Sequence, residues 1–151
     1  MYSQIDSNKR KTRLLIALFL AIVIAAGYGF AEFGGYGYSA VVIAVIFSSV
    51  MSLVSYYHSD KIALKSSGAK EIQKEDNPYL YRMVENLCIT AGMPMPKVHI
   101  INSPALNAFA TGRDPEHASI AFTTGIINAL ENEELEGVVA HELSHIQNYD
   151  I

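Results

Sequence analysis

Two long uncharged runs occupy the first third of the chain and restrict what it can fold into. Residues 14–31 are eighteen residues without a charge, residues 33–57 are another twenty-five, and Glu32 alone separates them. A hydrocarbon core of roughly 30 Å is crossed by about 20 helical residues, and backbone inside it must satisfy its own hydrogen bonds. The expected form is a transmembrane hairpin over residues 14–57, with helices at about 14–31 and 38–57. Its turn falls at Glu32-Phe33-Gly34-Gly35-Tyr36-Gly37, where glycines break the helix and tyrosines suit the lipid–water interface. A cleaved signal peptide would also start basic and turn apolar, but this apolar run is long and a second follows almost at once.

Charge divides the chain in the same way. Residues 1–65 carry six Lys or Arg against three Asp or Glu, a net +3, whereas residues 66–151 carry five against twelve, a net −7. The cations Lys9, Arg10, Lys11 and Arg13 precede the first run, and Lys61, Lys65 and Lys70 follow the second. The positive-inside rule then puts the basic N-terminus (1–13) and everything after the second span in the cytoplasm, with the turn outside. A basic cluster also suits nucleic acid, but the apolar neighbour and the acidic remainder argue against that partner and for a lipid bilayer. His58, among interfacial tyrosines, reads as a boundary residue. The single cysteine, Cys88, permits no intrachain disulfide and reads as a small buried helix residue.

Residues 58–76 are polar and mixed in charge and read as a connector; residues 77–151 have the pattern of a folded domain. Asn77-Pro78 is a helix start, with Leu80, Met83, Val84, Leu87 and Cys88 at helical spacing and an end near Ala91-Gly92. Lys97-Val98-His99-Ile100-Ile101 reads as a strand in which His99 points away from its neighbours and is structural. Residues 102–115 are rich in turn formers, residues 118–122 read as a second strand, and a short helix follows from Thr123 to Leu130. A last helix is expected from Asn132 as cap, through Glu133, Glu134 and Glu136 in its first turns, to about Asn148. The fold class is α+β on a helical membrane anchor.

Within that last helix lies His141-Glu142-Leu143-Ser144-His145, the H-E-x-x-H spacing of zinc peptidases. Residues four apart share a helix face, so His141 and His145 can aim ring nitrogens at one ion, at about 2.0–2.1 Å. Glu142 is turned about 100° from His141 and can reach a metal-bound water without ligating the metal. Zinc lowers the pKa of its water to about 7, and a carboxylate that takes the proton completes the nucleophile an amide demands. Val138, Val139, Leu143 and Ile146 give the helix a face to bury, and Gly137, four residues before His141, suggests close packing there.

A hydrolytic zinc normally has three protein ligands, and this chain offers two. Glu134 lies two turns before His141, roughly 10 Å along the axis. Asp150 is five residues past His145 and off the ligand face. Asp114, Glu116 and His117 sit in a loop. The third ligand is therefore expected beyond Ile151.

The chain resembles the HtpX family of bacterial membrane metallopeptidases, relatives of the CAAX prenyl endopeptidases. The resemblance rests on the basic start, the paired spans, Asn107-Ala108-Phe109-Ala110-Thr111-Gly112, and the helix ending His141-Glu142-Leu143-Ser144-His145-Ile146-Gln147-Asn148-Tyr149-Asp150. It implies a zincin-like catalytic domain, here partial, attached to the two-helix hairpin. It also implies one Zn2+ held by His141 and His145 with Glu142 as catalytic base, and a third ligand, a glutamate on a later helix. The implied activity is cleavage of damaged or misfolded membrane proteins at the cytoplasmic face of the bacterial inner membrane during envelope stress. The Asn107 segment and strand 118–122 would border the cleft, where an edge strand can pair with an extended peptide. The competing reading is an inactive, truncated membrane module with an incomplete metal site.

Overall fold

The computed structural model describes residues 2–34 and 37–151. The chain divides into two compact units, Met1–His58 and Ser59–Ile151, described in turn.

The first unit holds helix α1 (Tyr2–Gly34) and most of helix α2 (Tyr38–Ser66). Both are long and apolar enough to cross a membrane. Helix α1 starts well before the expected residue 14, because residues 2–13 contain no Gly or Pro and several good helix formers. At 1.5 Å per residue its 33 residues run roughly 50 Å, more than a bilayer core requires. Most of the large apolar side chains point outward, among them Leu14, Phe19, Ile22, Ile43 and Phe47. Where the helices meet, Gly27 is buried, and a Cβ built there would lie 3.6 Å from Val41 and 3.9 Å from the Ala44 Cβ. At the turn, the Tyr38 hydroxyl donates to Glu32 Oε1 at 2.8 Å, which gives the one acid between the apolar runs a partner. Gly35 and Tyr36 of the expected turn lie outside the described residues.

The expected connector from residue 58 is in part helical, since α2 continues to Ser66. Gly68, at φ +69°, then turns the chain, and the Ala69 N–H donates back to the Leu64 carbonyl at 2.9 Å. A two-residue strand β1 (Lys70–Glu71) follows, then α3 (Pro78–Ala91), β2 (Lys97–Ile101), β3 (Ala108–Gly112), a 3-10 turn (Pro115–His117), β4 (Ala118–Thr123), α4 (Thr124–Ala129) and α5 (Asn132–Asn148). The sheet order is β1-β2-β4-β3, with β2 and β4 parallel and the outer pairs antiparallel. Helix α3 is bounded as its sequence implies. Asn77 Oδ1 accepts from the Leu80 N–H at 3.1 Å, Pro78 opens the first turn, and Gly92 closes the helix in the left-handed region.

Strand β4 is buried along its whole length because β2 and β3 flank it and both its faces are covered. Ile120 and Phe122 face α3 and α5, where they join Leu80, Val84, Leu135 and Val139 in the main core. Ala121 faces the other way and meets Ile101 and Leu64. His99 is buried on β2, with Nδ1 3.3 Å from the Lys97 carbonyl. Cys88 lies in the main core, where burial pushes its thiol up to about 11.

The strand order corrects one expectation. Strand 118–122 is internal, and its neighbour β3, which falls within the segment expected to be irregular, is an edge, with β1 at the other. Its sequence, Ala-Phe-Ala-Thr-Gly, is short and rich in small residues, so it has little strand signature of its own. Ahead of β3, the loop is pinned to the β4–α4 junction. The Thr123 hydroxyl donates to the Ala105 carbonyl, the Thr124 hydroxyl to the Ser103 carbonyl at 2.9 Å, and the Gly125 N–H to the same Ser103 carbonyl at 2.9 Å.

Two glycine substitutions should act in opposite directions in thermal or chemical unfolding. A Cβ at Gly125 would collide with the carbonyl oxygens of Pro104 and Ala105, so Gly125→Ala should cost about 1–3 kcal/mol. A Cβ at Gly137 would meet nothing within 4 Å, which corrects the expected close packing, and Gly137→Ala should add about 0.5–1 kcal/mol.

Candidate metal centre on the last helix

Helix α5 starts one residue earlier than expected. Its cap is Glu131, whose N–H donates to Glu134 Oε2 at 3.0 Å. Asn132 instead accepts the Tyr79 hydroxyl at 2.7 Å and ties the start of α5 to the start of α3. Glu134 thus completes the helix start, remote from the histidines. Leu135, Val139, Leu143 and Ile146 are the buried stripe, and α5 packs along β3 and α3. Ala108 and Ala110, the core-facing residues of β3, are small and let the helix lie close to the edge strand.

The stripe leaves His141 and His145 together on the other side. Their rings are nearly perpendicular, at 88°, with centroids 4.7 Å apart. The two Nε2 atoms are 3.1 Å apart. Two nitrogens bound tetrahedrally to one zinc at about 2.0–2.1 Å would be roughly 3.3–3.4 Å apart, so these imidazoles fit two positions of such a shell with little movement. Glu142, between them in sequence, is half-buried. Among the described residues, no group of three or more His, Cys, Asp or Glu side chains is placed to hold a metal ion.

Asp150, off the ligand face by helical spacing, is close to His145 all the same. Helix α5 ends at Tyr149, which is left-handed at φ 56°, and the Asp150 N–H donates to the His145 carbonyl at 3.2 Å. The carboxylate turns back, and its Oδ1 lies 3.0 Å from His145 Nδ1. Residue spacing did not reveal this contact because it depends on where the helix stops.

Asp114, Glu116 and His117 form a local turn. Asp114 Oδ1 accepts from the His117 N–H at 2.9 Å and lies 2.7 Å from His117 Nδ1, while Arg113 Nε is 3.4 Å from Oδ2. Desolvation pushes the Asp114 carboxyl up, but the hydrogen bonds and charge of His117, with the Arg113 bond, together outweigh it and hold the group below its ordinary 3.8. A carboxyl lowered on folding favours the folded state above its unfolded value, and this favour is lost as pH falls through the folded value. Acid unfolding of Asp114→Asn should therefore depend less on pH just below 3.8 than that of the unsubstituted chain.

Residues 74–151 match Peptidase family M48. A protein called Protease HtpX homolog from Tropheryma whipplei (strain Twist) is 46% identical over 151 residues, which is 100% of this chain and 51% of that protein. Proteins of the same name from Caldanaerobacter subterraneus subsp. tengcongensis and Ligilactobacillus salivarius are 45% and 47% identical over 100% of this chain, and 50% and 52% of their lengths are covered. The chain thus spans about half the length of the curated relatives it matches. The crystal structure of S. mikatae Ste24p superposes with a TM-score of 0.53 at 17% identity, over 93% of this chain and 32% of that one, a likeness of fold. With two apolar helices ahead of a partial α+β domain that carries H-E-x-x-H on its last helix, the chain belongs to the metallopeptidases of Peptidase family M48.

Proposed function

We propose that the whole protein is a membrane-bound zinc endopeptidase that cleaves damaged or misfolded membrane proteins at the cytoplasmic face. The observation that carries this reading is the pair of imidazole nitrogens 3.1 Å apart on one helix face, with the half-buried Glu142 next to His141 in sequence. The names and family of the relatives support the protease class. The cations near the start of α1 (Lys9, Arg10, Lys11 and Arg13) and near the end of α2 (Lys61 and Lys65) support a multi-pass arrangement in the bacterial inner membrane, with both of these ends cytoplasmic.

In this reading His141 and His145 would hold the ion, and a third ligand would come from residues beyond Ile151. When bound, zinc polarises the scissile carbonyl and acidifies a water. Glu142 accepts the water's proton and passes it to the leaving amine. The open edge of β3 pairs with an extended substrate through its main-chain groups, which holds the peptide along the helix that carries the base.

The Glu142→Gln variant of the full-length protein should retain zinc and lose proteolysis by about 10²–10⁴-fold, the usual contribution of a general base. Undiminished cleavage would remove Glu142 from that role. Chelation should abolish activity, and added Zn2+ should restore it. A second reading, an inactive module with an incomplete site, draws on the two-donor set among the described residues. Proteolysis by the isolated 151-residue chain would reject it.

A further inference from the structure

We infer that Asp150 is a positioning residue for His145, held in place by the left-handed residue that ends α5. The inference rests on the metal-site reading above and concerns a residue that reading leaves without a task.

The geometry separates two roles for this carboxylate. A ligand would approach the ion, on the side of His145 where Nε2 faces His141. Asp150 instead lies at the other ring nitrogen, with Oδ1 3.0 Å from Nδ1. An ionised carboxylate only accepts, so the proton of a neutral His145 ring sits on Nδ1 and the lone pair on Nε2. That is the tautomer a metal needs at Nε2. A carboxylate behind a ligand histidine also fixes the ring plane and strengthens the imidazole as a donor.

The backbone supports the same role. Tyr149 is the one non-glycine residue with positive φ among the described residues, at 56°, a conformation that aromatic L-residues rarely adopt. Tyr149 donates its N–H to the Ile146 carbonyl at 3.2 Å, and Asp150 donates its own to the His145 carbonyl at 3.2 Å. This closure brings the Asp150 side chain back over the ring of the residue whose carbonyl it caps. Backbone held in an unfavourable region commonly marks a place where function fixes geometry.

The test uses the full-length protein in detergent, with Co2+ as the probe and ring nitrogens followed by 15N NMR. Metal-free wild type should show His145 protonated at Nδ1, and Asp150→Ala should shift the ring toward the Nε2–H form that free imidazole side chains favour in water. Asp150→Ala should lower Co2+ affinity by about 10–100-fold, and Asp150→Asn, which keeps an acceptor but loses the charge, by less. Tyr149→Gly, which suits a left-handed cap, should leave affinity within about twofold of wild type. All three variants should keep the helix content of the wild type. If Asp150→Ala binds Co2+ as wild type does and its His145 tautomer is unchanged, the inference is overturned while the metal site stands. If wild type takes up no Co2+, or His141→Ala binds as tightly as wild type, the metal-site reading falls and this inference with it.

Discussion

Everything about the candidate site depends on the burial of one side of α5. Leu135, Val139, Leu143 and Ile146 are sealed against the sheet and α3, and each such side chain contributes about 1.5–3 kcal/mol when fully buried. Helical periodicity then leaves no choice for the residues between: His141 and His145 must share the opposite side. The close approach of the two imidazoles follows from their four-residue spacing on one helix, and the seating of the helix decides which way that face looks.

The sheet beside that helix is arranged with the same economy. Its inner strand, β4, is buried on both faces, while β3 at the edge is built of small residues that admit α5 closely. The hydroxyls of Thr123 and Thr124 and the N–H of Gly125 hold the preceding loop to the end of β4. The position of the edge strand is therefore fixed from the protein's own interior. In the first unit the logic of burial is inverted. Apolar side chains line the outside of α1 and α2, small Gly27 lets the helices approach, and the single intervening acid is met by the Tyr38 hydroxyl.

Much of this was legible before any coordinates. The uncharged runs implied two long helices, Asn77-Pro78 and Gly92 bounded α3, alternation marked β2, and residues 118–122 read as the strand that is β4. These features are local, and local chemistry decides them. The failures were of another kind. Strand β3 has a composition that means strand only when a neighbour pairs with it. Residues 118–122 look like any strand, and nothing in them says that both edges are taken. Glu131 as cap and Asn132 as partner of Tyr79 differ by one residue from the expected arrangement. Gly137, expected to be crowded, faces open space.

The sequence by itself determined the pieces: which segments are helical, which face of α5 is apolar, and that two histidines and a glutamate share one turn-spaced motif. It could do so because helix periodicity is a property of neighbouring residues. Only the tertiary structure decided that β3 is an edge strand, that α5 lies along it, and that Asp150 turns back onto His145 Nδ1. Those outcomes depend on strand pairing and on where a helix stops, and both are set by contacts between residues that the spacing of a motif does not encode.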